Sequence, residues 1–240
     1  MILVHFLGKS VSFLLFYLGG RLIFFLYLVF MYKPSLFFAV LFLAFMGHSF
    51  AQSAWELKKD QNGILIYSRS VKESKYKELR AVFDLPGTYE QLRFILNDVN
   101  NYRTWVYSTA SSYLVERKSE TEIIYYSRIS APWPVSNRDF YSNTRIWIDS
   151  ANHQMRLSSR NIDGFPSTDH IIRIPFLRSE WVITAPAPGT LHVEYTLSWN
   201  PGGEIPAFLA NAFSTTGPLQ SFSQLKRKMT PTAPGIAVNR

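Results

Sequence analysis

The run Trp199-Asn200-Pro201-Gly202-Gly203-Glu204-Ile205-Pro206-Ala207-Phe208-Leu209-Ala210-Asn211 joins two stretches of different periodicity. Upstream, Leu191, Val193, Tyr195, Leu197 and Trp199 alternate with His192, Glu194, Thr196, Ser198 and Asn200. A period of two puts the apolar set on one face, so residues 190–200 read as a strand in a sheet with one wet face. Downstream, from Glu204 to Met229, Ile205, Phe208, Leu209, Ala212, Phe213, Thr216, Leu219, Phe222, Leu225 and Met229 recur three and four residues apart, the spacing of one apolar helical face. Between the two, Gly202 and Gly203 permit backbone angles closed to other residues, and Pro206 falls in the first helical turn, where its missing N–H costs nothing. The corner therefore aims the helix back at the sheet. Such a helix spans about 38 Å, enough to lie along a whole concave sheet, with Gly217-Pro218 expected to kink or break it midway.

Outward from this corner, segments rich in β-branched and aromatic residues are separated by turn signals, the pattern of an antiparallel meander. Strands are expected at 64–69, 75–84, 107–117, 121–130, 138–149, 153–160, 170–183 and 190–200. A helix is expected from Thr88 to about Asn97, with Thr88 as N-cap and Gln91 completing a capping box. A short aromatic segment, Tyr102 to Trp105, follows it. The fold class is thus α+β, a curved antiparallel sheet with a long C-terminal helix. One folded domain is expected over 52–230 and a flexible tail over 231–240.

A second stretch, Ala131-Pro132-Trp133-Pro134-Val135-Ser136-Asn137-Arg138-Asp139-Phe140, enters the strand at 138–149. Its prolines end the preceding strand, and Arg138 and Asp139 are expected to satisfy backbone groups or one another at the strand mouth. With the corner at 199–211 and the trailing Gly217-Pro218, Phe222 and Leu225 to Met229, this stretch resembles the StAR-related lipid-transfer (START) family, and the resemblance runs from Trp55 to Met229. The resemblance implies a helix-grip fold, with the sheet wrapped around the last helix and a hydrophobic tunnel between them for one lipid or other apolar small molecule. It also implies a carrier or sensor in place of an enzyme.

In that family one face of the central strands, the last helix and a lid loop line the tunnel. By alternation Tyr125, Ser127 and Ile129, then Phe140, Ser142, Thr144 and Ile146, share the inward face; Tyr195, Leu197, Phe208, Ala212 and Phe213 complete the candidate ligand-binding set. At any single position, packing into the core is an equally good reading. Some family members place a buried acid and base among these strands; here Tyr125 and Thr144 stand at the corresponding positions, which argues against a charged clamp. The lid candidate is 161–169, where Phe165 between Gly164 and Pro166 either plugs the tunnel or anchors a static loop.

Catalytic signals are sparse. His153, His170 and His192 fall on separate strands without metal spacing, and neither G-x-S-x-G nor a Gly-rich phosphate loop occurs. Asp139 with His170 is the one conceivable base and orienter. No catalytic residue, metal or cofactor is expected; a helix-grip cavity enzyme of cyclase or hydrolase type, or a ligand-responsive scaffolding module, is the alternative. The formal net charge is +8, and its scattered basic residues lack the stripe that nucleic acid requires. Lys226-Arg227-Lys228 complements the helix dipole, with transient contact to an anionic membrane as its second reading. Without cysteine the chain is silent on redox compartment. Nothing sets the oligomeric state; a monomer is the working expectation.

The first 51 residues form a hydrophobic targeting region. Met31-Tyr32-Lys33, the apolar run 34–47 and Ser49-Phe50-Ala51 have the order of a signal peptide, with cleavage after Ala51 and Gln52 first in an exported, periplasmic or secreted protein. On that reading 1–30 derive from a mis-assigned start. The alternative is a membrane anchor through residues 11–32, although Arg21 at mid-membrane costs roughly 3 kcal/mol.

Overall fold

The computed structural model describes residues 54–230, apart from 73, 134, 150, 167 and 168. The targeting region over 1–51 and the tail over 231–240 lie outside the described residues. Ten strands form one sheet: β1 (Glu56–Gln61), β2 (Ile64–Arg69), β3 (Glu78–Pro86), β4 (Thr109–Ser119), β5 (Glu122–Ile129), β6 (Arg138–Asp149), β7 (Gln154–Ile162), β8 (Ile172–Arg173), β9 (Phe176–Ala187) and β10 (Thr190–Asn200). Their spatial order is β1-β2-β3-β10-β9-β7-β6-β5-β4. The pairs along this path are antiparallel, and the short β8 adds in parallel to β6. Among the described residues no helix is long and apolar enough to cross a membrane.

Three strands match their expected limits: 64–69, 138–149 and 190–200. The expected strand at 170–183 is instead two. Pro175 has no N–H to give the ladder, so pairing stops after β8 and resumes at Phe176. β1 had no expected counterpart, because ELKKDQ is almost wholly exposed and lacks alternation. It pairs with β2 across Asn62-Gly63, both at positive φ, the geometry of a tight hairpin.

Helix α1 (Tyr89–Asn97) opens on the expected capping box: Gln91 N–H donates to Thr88 Oγ1 at 3.4 Å and Thr88 N–H to Gln91 Oε1 at 2.9 Å. A 3-10 turn, Val99–Thr104, follows. Helix α2 runs unbroken over Ala207–Met229, which corrects two expectations. It starts three residues after Glu204, because a residue preceding proline is pushed out of helical angles and Pro206 becomes the N-cap. It also continues through Gly217-Pro218, where packing on both sides outweighs the one intrahelical bond that proline forfeits. On the C-terminal side Phe222 stacks on Phe83 at 4.5 Å and meets Trp181 and Tyr195 edge-on at 5.4 and 5.1 Å. On the N-terminal side Asn211 Oδ1 accepts from Lys77 N–H at 3.0 Å.

The corner between β10 and α2 is tight. Gly202 and Gly203 adopt φ of +69° and +62°, and a Cβ on Gly203 would lie 2.7 Å from Ile172 Cδ1. The corner therefore seats on β8, the strand beside Arg138.

Candidate functional site

A cavity of about 270 Å³ lies between the inner face of the sheet and α2. Alternation supplies its walls. Tyr125, Ser127 and Ile129 of β5, Phe140 of β6, Leu157 and Ser159 of β7, Leu177, Ser179 and Trp181 of β9, and Tyr195, Leu197 and Trp199 of β10 all point inward. From α2, Phe213, Ser214, Gly217, Ser221 and Phe222 close the space, and Tyr102 and Trp105 of the segment after α1 close one side. The wall is thus aromatic and aliphatic, with hydroxyls spaced along it. Burial raises the Tyr125 and Tyr195 phenols above the ordinary value and Tyr102 well above it, so these groups stay neutral.

Seven candidates from the sequence are brought together here: Tyr125, Ser127, Ile129, Phe140, Tyr195, Leu197 and Phe213. Six are not. Ser142, Thr144 and Ile146 share the inward face but are covered: Ser142 Oγ donates to the Arg160 carbonyl at 3.2 Å, Thr144 and Ser159 hydroxyls pair at 2.7 Å, and Ile146 is buried in the main core. Phe208 is 72% exposed and Ala212 is exposed. The face of α2 that meets the cavity carries Ser214, Gly217 and Ser221, so a stripe drawn by hydrophobicity was rotated away from it.

Phe165 lies on the other side of the sheet. Its ring stacks on Tyr141 at 4.0 Å and 7°, and Tyr141 alternates with the inward Phe140 and Ser142. Arg173 holds the same loop, with Nη2 donating to the Pro166 carbonyl at 2.7 Å and the guanidinium 5.0 Å over Tyr141. Arg173 is itself held by Asp139, which is 1% exposed, through Nε–Oδ1 at 2.7 Å and Nη2–Oδ2 at 3.2 Å. In the described part of the 161–169 loop, Phe165 thus packs on the outer face of the sheet and does not line the cavity. Asp139 is engaged by Arg173, not by His170, and His192 Nδ1 lies 2.7 Å from Asp84; none of these is among the described residues that line the cavity.

Arg138, expected to satisfy a backbone group or Asp139, does bond a backbone carbonyl and also lines the cavity. It is 5% exposed and extends from the inner face, opposite to Asp139. Its Nη1 donates to the Ser136 carbonyl, while its Nε finds no partner. Burial lowers its pKa from the usual arginine value.

The START domain model matches residues 48–230. The chain belongs to the START domain family. An uncharacterised protein of Pseudomonas aeruginosa is 30% identical over 75% of this chain and 88% of its own length. The phosphatidylcholine transfer protein of Mus musculus is 25% identical over 68% of this chain and 78% of its own. A solved STAR-related lipid transfer protein fragment from Xanthomonas axonopodis superposes with a TM-score of 0.68 at 30% identity, covering 73% of this chain and 98% of that one. Human StAR-related lipid transfer protein 5 shares the fold, with a TM-score of 0.64 at 14% identity over 80% and 92% of the two chains.

Within this START domain, sequence reasoning missed the contributions of β7 and β9. Leu157, Ser159, Leu177, Ser179 and Trp181 sit at alternate positions, so extending the alternation argument to those strands finds them. The small residues of α2 carry no such signal.

Proposed function

We propose that this START domain binds one lipid or similar apolar molecule in the cavity between sheet and α2, without chemical conversion, and carries it between membranes. The observation that carries this reading is the cavity itself, a space between sheet and helix walled by aromatic, aliphatic and hydroxyl side chains. Relatives named as lipid transfer proteins support it. Access is assigned to the 131–136 loop in preference to the 161–169 loop, because Ala131, Pro132 and Val135 line the cavity while neighbouring Trp133 is 92% exposed. An indole there is placed to touch a bilayer surface, and Lys226-Arg227-Lys228 would add attraction to anionic lipid.

Transfer of a fluorescent lipid between donor and acceptor vesicles tests the carrier role. Acceleration by the protein, reduced in Trp133→Ala, is the expected result; stoichiometric binding without transfer would instead assign a sensor. Export is proposed on the Met31–Ala51 segment alone. N-terminal sequencing of the protein from its host should begin at Gln52, and any mature product containing residues before Met31 would favour a membrane anchor.

A further inference from the structure

Among the described residues, four buried side-chain nitrogen or oxygen atoms have no hydrogen-bond partner, and two of them, Arg138 Nε and Trp199 Nε1, belong to residues lining the same cavity. Both residues stand at one end of the sheet, where β6 begins and β10 ends. The Tyr76 neighbourhood joins the two segments: Trp199 and Val135, three residues before Arg138, both pack against the cluster of Tyr76, Ile205 and Ala210. Beyond this end the cavity is apolar, with hydroxyls and phenols that remain neutral.

Buried polar groups without partners are rare, and a buried cation is rarer still without a carboxylate. No ion pair joins Arg138 to any described acid. Arg173 supplies the internal comparison. It offers Nε and Nη2 to Asp139 as a two-pronged clasp. Arg138 has only Nη1 committed to the Ser136 carbonyl, and its Nε is buried and unengaged. A planar guanidinium takes a carboxylate or phosphate on that edge, and the Trp199 indole N–H is a second unpaired donor on a residue of the cavity wall. Size narrows the choice further: about 270 Å³ falls just below the range of ligand pockets, about 300 to 1,000 Å³, and suits one acyl chain better than two.

From these observations we infer that the ligand is a single-chain lipid with an anionic head, held by Arg138 and Trp199 at the corner end of the cavity while its chain lies among Tyr125, Trp181 and Phe222. This rests on the lipid-binding reading above and deepens it to a ligand class.

The test uses the full chain with Nile red, an uncharged reporter of the apolar cavity, and three competitors: palmitate, palmitoyl lysophosphatidate and hexadecanol. An anionic competitor should displace the dye at concentrations about tenfold or more below those of hexadecanol, the gap expected of a charge-assisted hydrogen bond. Preference for palmitate assigns the head to a carboxylate, and preference for lysophosphatidate to a phosphate. Arg138→Gln should abolish the gap by weakening the anionic competitors far more than hexadecanol. Trp199→Phe, which removes the N–H donor and keeps an aromatic though smaller ring, should narrow it severalfold, and it carries the test should Arg138→Gln not fold. Equal displacement by all three competitors from a protein that binds Nile red would overturn the anionic head while leaving an apolar lipid site standing. A gap that survives both substitutions would overturn the assignment to these residues. Failure of the dye and all competitors to bind would remove the lipid-binding reading and this inference with it.

Discussion

The two faces of β5 and β6 share the same backbone and differ in how their polar groups end. On the outer face Asp139 clasps Arg173, Arg173 holds the Pro166 carbonyl, and a row of rings runs from Tyr113 through Tyr126 and Tyr141 to Phe165, with successive centroids 4.9, 5.0 and 4.0 Å apart. Tyr113 at the start of the row is pushed up to about 12, first by burial and then by its hydrogen bond to Tyr141. On the inner face, one residue away from Asp139, Arg138 has no carboxylate, and serines stand where larger side chains would close the space. The first network holds a loop to the sheet, although Arg128 Nε on the same face is also buried without a partner. The second stops at unpaired donors on two residues that line a cavity, an arrangement in which a ligand can supply the missing partner.

Substitutions on the two faces should therefore separate stability from binding. The largest stability effect is expected for Asp139→Ala, which strands the Arg173 cation against the sheet and should cost about 3 kcal/mol in urea unfolding, with lipid affinity retained in the folded fraction. Next is Gly203→Val, expected to cost about 2 kcal/mol because the position has positive φ and its new side chain meets Ile172; unchanged thermal stability would contradict the corner geometry. On the inner face Ser127→Leu should fill the cavity and lower lipid affinity about tenfold, with stability altered by less than about 1 kcal/mol. For Phe165→Ala the outer-face position predicts a loss of about 1 kcal/mol from the lost ring stacking and no change in the exchange rate of a fluorescent lipid. Faster exchange would restore that loop as a gate.

The most gradual effect is alkaline. Tyr125 and Tyr195 titrate higher in the folded protein than an ordinary phenol, at about 10. Folded-state proton binding is the tighter, so this contribution is whole below pH about 10 and disappears as pH climbs toward the raised values. The melting temperature should decline with pH above that point, and less steeply in Tyr195→Phe.

Much of the fold was legible because each signal was local. Alternation in 190–200, the Thr88 capping box and the Gly202-Gly203 corner all follow from residues within a few positions of one another. β1 was not, since its pairing depends on Asn62-Gly63 and an exposed lysine-rich strand has no apolar face to read. The site was legible on β5 and at its ends on β10 for the same reason that the strands were. It was misread on α2, where Phe208 and Ala212 follow the apolar period but a cavity wall needs small side chains such as Ser214 and Gly217. Arg138 and Asp139 meet their expectation in part: Arg138 bonds the Ser136 carbonyl, while Asp139 pairs with Arg173 in place of Arg138. Strand geometry sends them to opposite faces, and only their partners, present or missing, tell the roles apart.

The most direct measurement is chemical. The folded protein, purified without detergent and then extracted with organic solvent, should release close to one equivalent of lipid by mass spectrometry, with single-chain acidic species foremost. A protein that releases none, and that acquires none after incubation with vesicles containing palmitate and lysophosphatidate, would contradict the account.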